Sequence, residues 1–104
     1  MDSFSVTGSV VDGNVLHIRL VGRFGFEMGS EMRKLWEQNN GISSYIVDFN
    51  NVSVIESSGL GTLLLLRKVA GDEQADIILR CAKSEVLWAL QVAHFEKLFT
   101  IEES

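Results

Sequence analysis

The sequence predicts an α/β fold in which helices pack on a single-layer, mixed and largely parallel β-sheet. Two segments near the N-terminus alternate between apolar and polar residues around a compact turn, as the strands of a β-hairpin do. After this hairpin, β-rich runs and segments of helical spacing follow one another in turn. Because a helix between two strands brings the chain back to the same end of the sheet, this order favours parallel pairing beyond the hairpin.

The first half of the chain supplies the hairpin, one helix and one strand. The predicted hairpin joins residues 5–11 to residues 15–21 through the turn signal Asp12-Gly13-Asn14. A first helix is predicted over residues 27–38, because apolar residues recur there at helical spacing and acidic residues precede basic ones. The β-branched and aromatic run at residues 44–49 then predicts a buried strand.

The second half repeats the alternation of helix and strand. Aliphatic residues at helical spacing predict a second helix over residues 57–70, and an apolar run predicts a strand at residues 75–81. A third helix is predicted over residues 84–91 with Ser84 as its N-cap. The tail, residues 95–101, is compatible with an edge strand or with a helical turn.

Both tryptophans lie on apolar faces of predicted helices. Trp36 falls in the first helix and Trp88 in the third, with other apolar residues at helical spacing around each. A large aromatic side chain on such a face most often fills the core. The sequence therefore predicts that both are buried.

Length and composition predict one folded domain that binds proteins. The chain of 104 residues is close to the commonest domain size, so residues 1–104 are expected to form a single domain. Hydrophobic residues make up 46% of the chain, which is enough apolar material for a packed core. The formal net charge of -5 disfavours binding to nucleic acid or to an anionic membrane surface and favours a protein partner.

Cysteine content and the N-terminus predict a cytoplasmic protein. Cys81 is the single cysteine and cannot form an internal disulfide. The N-terminus has no basic segment followed by an apolar stretch, and the longest aliphatic run is the four leucines at residues 63–66. We therefore expect neither a signal peptide nor membrane insertion.

The most informative segment is the predicted junction of strand and helix at Ile55-Glu56-Ser57-Ser58-Gly59-Leu60-Gly61. The first backbone N–H groups of a helix have no intrahelical partner, and the dipole favours negative charge there. A phosphate on Ser57 or Ser58 would be stabilised at this position and would alter a partner surface. The local pattern alone favours a simpler role, in which one hydroxyl caps the helix and the glycines permit close packing.

A longer stretch around this junction resembles a family signature. Residues 47–64 read VDFNNVSVIESSGLGTLL and are similar to the signature of the STAS domain family, which includes the anti-sigma factor antagonists. The similarity covers a strand ending at Asp48, the acidic Glu56, the Ser-Ser-Gly-Leu-Gly motif and the aliphatic helix after it. The predicted element order agrees with the family over nearly the whole chain, which implies a STAS-like fold.

The resemblance implies a partner switch without catalysis, cofactor or metal. Ser57 takes the place of the phosphorylated serine, and the residues that support its loop are Glu56, Ser58, Gly59, Gly61 and Asp48. The unphosphorylated domain would bind an anti-sigma factor or a serine kinase-like regulator, phosphorylation would release it, and a cognate phosphatase would restore binding. Residues inferred to be exposed are candidate partner contacts: Arg23, Phe24, Phe26 and Glu27 after the second strand, and Arg67 and Lys68 on the second helix.

Two positions depart from the family pattern. The family commonly has Asp directly before the acceptor serine, where this chain has Glu56. Many antagonists also carry an Asp shortly after the second strand, near the phosphorylation loop, where this chain has Gly25. The resemblance therefore indicates a phosphorylatable loop more directly than a sigma-factor pathway.

Two other functions are also compatible with the sequence. The first is a constitutive STAS scaffold subunit, for example of a biofilm, chemosensory or lipid-transport complex, in which Ser57 is only a helix cap. The second is a small serine hydrolase, which needs a base beside Ser57 that the sequence offers only as His17 or His94. The spacing of these histidines and Cys81 matches no metal site.

Overall fold

The computed structural model describes residues 3–103 and confirms the predicted fold class. The strands are β1 (Ser5–Val11), β2 (Val15–Phe24), β3 (Ser44–Ile55), β4 (Ile77–Arg80) and β5 (Thr100–Glu102), and the α-helices are α1 (Phe26–Glu37), α2 (Ser57–Val69) and α3 (Ser84–Val92). They form one sheet in the order β1-β2-β3-β4-β5, in which β1 and β2 are antiparallel and all later neighbours are parallel. Within residues 3–103, no helix is long and apolar enough to cross a membrane.

Strand β3 is longer than the sequence predicts. It continues past Phe49 to Ile55 because irregular pairing with β2 accommodates the polar residues that interrupt its alternation. Arg19 pairs with Asp48 whereas Val21 pairs with Asn51, so β3 carries an extra residue at this bulge. The longer strand delivers the chain directly to the start of α2.

The start of α3 and the C-terminal tail also differ from expectation. Ser84 is the first residue of α3 and not its cap; Lys83 occupies the N-cap position, and Ser84 has a φ of 53°. The tail contains both predicted alternatives, since a short 3-10 helix at Phe95–Lys97 precedes β5. These differences leave the order of elements unchanged.

The core lies on one face of the sheet, and the opposite face is open. Strand β2 shows the alternation, because Ile18 and Leu20 are buried whereas Arg19 between them is exposed. The buried side chains of all three helices belong to the same core cluster. Trp36 is in this cluster as predicted, but Trp88 is 66% exposed, so its assignment to the core is wrong.

A glycine positions the first turn of α2 against the end of β2. A Cβ at Gly59 would lie 2.5 Å from the Phe24 carbonyl oxygen and 2.9 Å from Ile55 Cγ1, so no larger residue fits without movement. At Gly61, two residues further along the helix, a Cβ would have no heavy atom of the described residues within 4 Å. The two glycines of the motif therefore have different roles, and only Gly59 is required for packing.

This difference predicts opposite effects of the same substitution. Gly59→Ala should lower the free energy of unfolding by about 1–3 kcal/mol, because the backbone of β2 must move to admit the methyl group. Gly61→Ala should raise it by about 0.5–1 kcal/mol, because alanine restricts the unfolded chain and favours the helix. Denaturant unfolding of both variants checks this, and a change of the same sign in both would contradict it.

A second prediction concerns His17 on β2. Its Nε2 atom is buried without a hydrogen-bond partner among the described residues, and burial, aided by the Arg19 charge, lowers the pKa of the side chain below 6.5. As the pH falls through 6.5, the unfolded chain therefore takes up a proton before the folded chain does. Stability should fall over this range, and the loss should end once the pH is below the pKa of the folded state.

The variant His17→Gln tests this assignment. Its free energy of unfolding, measured between about pH 7.5 and about pH 5, should fall less with decreasing pH than that of the wild type. Parallel curves for the two proteins would show that His17 does not contribute.

Candidate functional site

Ser57 is the first residue of α2, and its side chain is exposed. The N-cap position belongs to Glu56, whose backbone is extended with φ -96° and ψ 170°, and no side chain of the described residues makes a cap hydrogen bond to this helix. A capping side chain belongs to the residue before the first helical one, and Ser57 and Ser58 both lie inside the helix. The interpretation of either serine as the helix cap is therefore wrong.

The start of α2 is the positive end of the helix dipole. Its first turn contains no acidic residue, while Arg67 and Lys68 occupy its last turn, as the dipole prefers. The first intrahelical bond runs from the N–H of Leu60 to the carbonyl of Glu56, so the amides of the preceding residues lie before the ladder. A negative group on Ser57 would lie where these amides and the dipole favour it.

The carboxylate of Glu56 is paired across the loop. Arg23 Nη1 donates a hydrogen bond to Glu56 Oε2 at 2.8 Å, and both side chains are about half exposed. The backbone N–H of Glu56 also donates to the carbonyl of Phe24 at 2.9 Å. Together these contacts fix the residue before Ser57 to the end of β2.

The two departures from the family pattern meet in space. A Cβ at Gly25 would collide with Glu56 Oε1 and would lie 3.8 Å from Ser58 Oγ. The longer side chain at position 56 thus fills the volume that a side chain at position 25 would need. A carboxylate is retained beside the serines, and it comes from Glu56.

Two shallow depressions adjoin the serine loop. One, of about 230 Å³, is lined by residues that include Arg23, Glu27 and Glu56. The other, of about 170 Å³, lies between α1 and α2 and is lined by residues that include Ser58. Phe26 lines both and is 77% exposed. Depressions of this size suit the side chains of a protein partner better than an enclosed small substrate.

The structure brings together only part of the predicted contact set. Arg23, Phe26 and Glu27 lie at one end of α1 and line the depression beside Glu56. Phe24 is fully buried and packs on Phe49 with ring centroids 6.0 Å apart, so its assignment to an exposed loop is wrong. The reason is that β2 extends to Phe24, which places this side chain on the core face.

Arg67 and Lys68 lie at the opposite end of α2 from the serines. The helix has 13 residues and is about 20 Å long. The Arg67 side chain is only 20% exposed, lies 3.7 Å from Asp72 and has a buried Nε, so it is not the exposed contact that was predicted. Lys68 is exposed, but it belongs to a different part of the surface.

Asp48 also lies away from the serine loop. It is in the middle of β3 and not at its end, because the strand continues to Ile55. Its Oδ1 accepts a hydrogen bond of 2.9 Å from the backbone N–H of Asn50, which stabilises the bulge. Asp48 therefore lies within β3, apart from the loop that it was predicted to support.

Sequence reasoning missed the aliphatic surface that continues from the second depression. Leu64 and Leu65 are 44% and 37% exposed, whereas Leu63 and Leu66 are buried. Four consecutive residues span most of the circumference of a helix, so two of these leucines had to face away from the core. The run of four leucines in the sequence was therefore enough to predict that two of them are exposed.

The two histidines lie outside the depressions that adjoin the serine loop. Neither His17 nor His94 lines the two depressions, and no cluster of three potential metal ligands occurs within residues 3–103. His17 lies on the open face of the sheet, whereas α2 packs on the core face. The arrangement leaves Ser57 and Ser58 exposed, and Ser58 lines a depression together with the exposed Phe26.

Solved structures show that this fold is shared with anti-sigma factor antagonists. SpoIIAA in its unphosphorylated form is similar with a TM-score of 0.81, at 18% identity, over 93% of this chain and 87% of SpoIIAA. A putative anti-sigma factor antagonist from Thermotoga maritima has a TM-score of 0.83, at 17% identity, over 95% and 86% of the two chains. Bacillus SpoIIAA in its phosphorylated form has a TM-score of 0.74, at 17% identity, over 93% and 90%.

Sequence comparison identifies the family. A STAS-domain-containing protein from Pseudomonas aeruginosa strain UCBPP-PA14 is 41% identical over 91 residues, which are 86% of this chain and 90% of that protein. The family model of the STAS domain matches residues 9–104. The chain therefore belongs to the STAS domain family.

Proposed function

We propose that this protein is a phosphorylation-controlled partner switch of the anti-sigma factor antagonist type. The unphosphorylated protein binds an anti-sigma factor or a related serine kinase-like regulator in the cytoplasm. Phosphorylation of Ser57 releases that partner, and a cognate phosphatase restores binding. The observation that carries the proposal is the exposed Ser57 at the uncapped start of α2.

The position of Ser57 allows phosphorylation without loss of the fold. A phosphoserine carries about -1.5 to -2 charge at neutral pH, and the start of a helix stabilises such charge. Within the described part of the chain, the hydroxyl of Ser57 makes no cap hydrogen bond that the phosphate would have to replace. The switch therefore acts on the partner surface more than on the helix.

Phe26 is the proposed anchor for the partner in the unphosphorylated state. It begins α1, is largely exposed and lines both depressions beside the serine loop. An exposed aromatic residue beside shallow depressions can be buried by a partner at low cost in side-chain entropy. A phosphate nearby would add negative charge and bulk at the edge of this contact and weaken it.

The relatives support the proposal without deciding the partner. SpoIIAA, whose fold is similar, exists in an unphosphorylated and a phosphorylated form. On the proposed function, this protein catalyses nothing and is a substrate and ligand of other proteins. A fluorophosphonate probe distinguishes the hydrolase alternative, since labelling of Ser57 would favour a serine hydrolase.

The first prediction of this proposal concerns the acceptor serine. Intact-mass spectrometry of protein from its native cells should show a fraction that is heavier by one phosphate, absent in Ser57→Ala and present in Ser58→Ala. The regulator that copurifies with the wild type should bind Ser57→Asp about tenfold or more weakly, because the added charge lies at the contact. A phosphoform that persists in Ser57→Ala, or unchanged affinity of Ser57→Asp, would refute the assignment.

The second prediction tests whether Phe26 contributes more to partner binding than an exposed aromatic residue elsewhere on the surface. Phe26→Ala should lower the affinity for the copurified regulator by about tenfold to a hundredfold. The free energy of unfolding should change by less than about 0.5 kcal/mol, because the ring is exposed in the free protein. Trp88→Ala is the matched control, since Trp88 is similarly exposed but lies on α3.

Isothermal titration of both variants with the regulator makes the comparison. The control should bind as the wild type does. Equal loss of affinity in the two variants, or no loss in Phe26→Ala, would place the contact elsewhere.

A further inference from the structure

The open face of the sheet carries one row of charges that crosses four parallel strands. The register places Arg19 of β2 beside Asp48 of β3, Asp48 beside Arg80 of β4, and Arg80 beside Glu102 of β5. These residues alternate in sign along the row. Arg80 Nε and Glu102 Oε1 are 3.2 Å apart, so the row ends in an ion pair at the sheet edge.

The neighbouring row on the same face is largely apolar at its centre. His17, Ile46, Ile78 and Thr100 occupy successive strands in register. Arg19, Asp48 and Arg80 all act electrostatically on His17, which agrees with their lying on one face. The open face thus combines an aliphatic centre with an alternating row of charges.

We propose that this open face is a self-association surface on which a second copy of the chain stacks face to face. The alternating row is complementary to itself for one orientation of the two copies. A two-fold axis parallel to the strands, between β3 and β4, places Arg19 opposite Glu102 of the second copy and Asp48 opposite Arg80 of the second copy. The same operation places Ile46 opposite Ile78, so apolar side chains meet at the centre.

The charge pattern selects this orientation. A two-fold axis perpendicular to the strands would instead place each charge opposite its own equivalent, which repels. Rotation about an axis along the strands keeps the strands of both sheets aligned, as in the common packing of two sheets about 10 Å apart. The interface is isologous, as in most homodimers.

The size of the face predicts a weak dimer. Four strands about 4.8 Å apart and a few residues of shared length give roughly 300 Å² of facing area per copy, well below the roughly 800 Å² of a standard interface. The association should therefore be transient, concentration-dependent and weakened by salt. The helices pack on the other face, so Ser57 stays accessible in the dimer and the inference does not depend on the proposed function.

Two charge-reversal variants test the orientation directly. Asp48→Arg and Arg80→Asp should each lose self-association by about tenfold or more, because each homodimer would bring like charges together. A mixture of the two variants should associate again, because the chain with Asp48→Arg then carries a positive charge at both positions, the chain with Arg80→Asp carries a negative charge at both, and both cross-contacts join opposite charges. Sedimentation velocity of each variant and of the mixture, up to about 1 mM protein at low salt, makes the measurement.

Neutral variants keep the test decisive if the reversals impair folding. Arg80→Gln removes two of the cross-contacts without placing like charges side by side, and it should also weaken self-association. Trp88→Ser on α3 is the control and should associate as the wild type does. A wild type that stays monomeric over this range, reversal variants that still dimerise, a mixture that does not associate, or loss of the dimer in Trp88→Ser would each overturn the proposal.

Discussion

The close approach of α2 to the end of β2 is the constraint on which the site depends. Gly59 leaves room for the Phe24 carbonyl and Ile55, and the N–H of Glu56 donates to that same carbonyl. These contacts fix the direction in which α2 starts, because the chain must leave β3 and enter the helix within two residues. The exposed position of Ser57 follows from them, since a helix that began one residue later would place this serine at the cap.

The sequence predicted the regular elements well, because their periodicity is a direct consequence of burial on one face. It failed where local chemistry interrupts that periodicity. Gly22 has a φ of 109° and lies beside a register shift, so the sequence pattern breaks before Phe24 although β2 continues through it. Asp48 and Asn50 likewise obscured the second half of β3, whose bulges keep both residues within the strand. The candidate partner set was wrong at Phe24 for this reason.

The third helix shows a different limit. Most residues of α3 are apolar, but only Val86 and Leu90 of this helix are buried, one turn apart. A helix that is apolar on all sides does not reveal from its sequence which face meets the sheet, and Trp88 was assigned to the core for that reason. The four leucines of α2 likewise do not reveal which of them face the core. The assignment of Arg67 to the surface was wrong because its place in the last turn of α2 brings it against Asp72. Packing between elements that are distant in sequence determines which of these side chains are buried, and the pattern of a single sequence does not reveal that packing.

The position of Ser57 inside the helix has an energetic consequence for a phosphorylation switch. If its hydroxyl capped the helix, modification would disturb a hydrogen bond worth about 1 kcal/mol and would couple the switch to helix stability. With Glu56 at the cap position and paired to Arg23, the helix start does not depend on the serine hydroxyl. Gly25 contributes to this arrangement because it leaves the space that the Glu56 carboxylate occupies. The two departures from the family pattern therefore act as one change, which keeps a carboxylate beside the serines while Ser57 stays exposed.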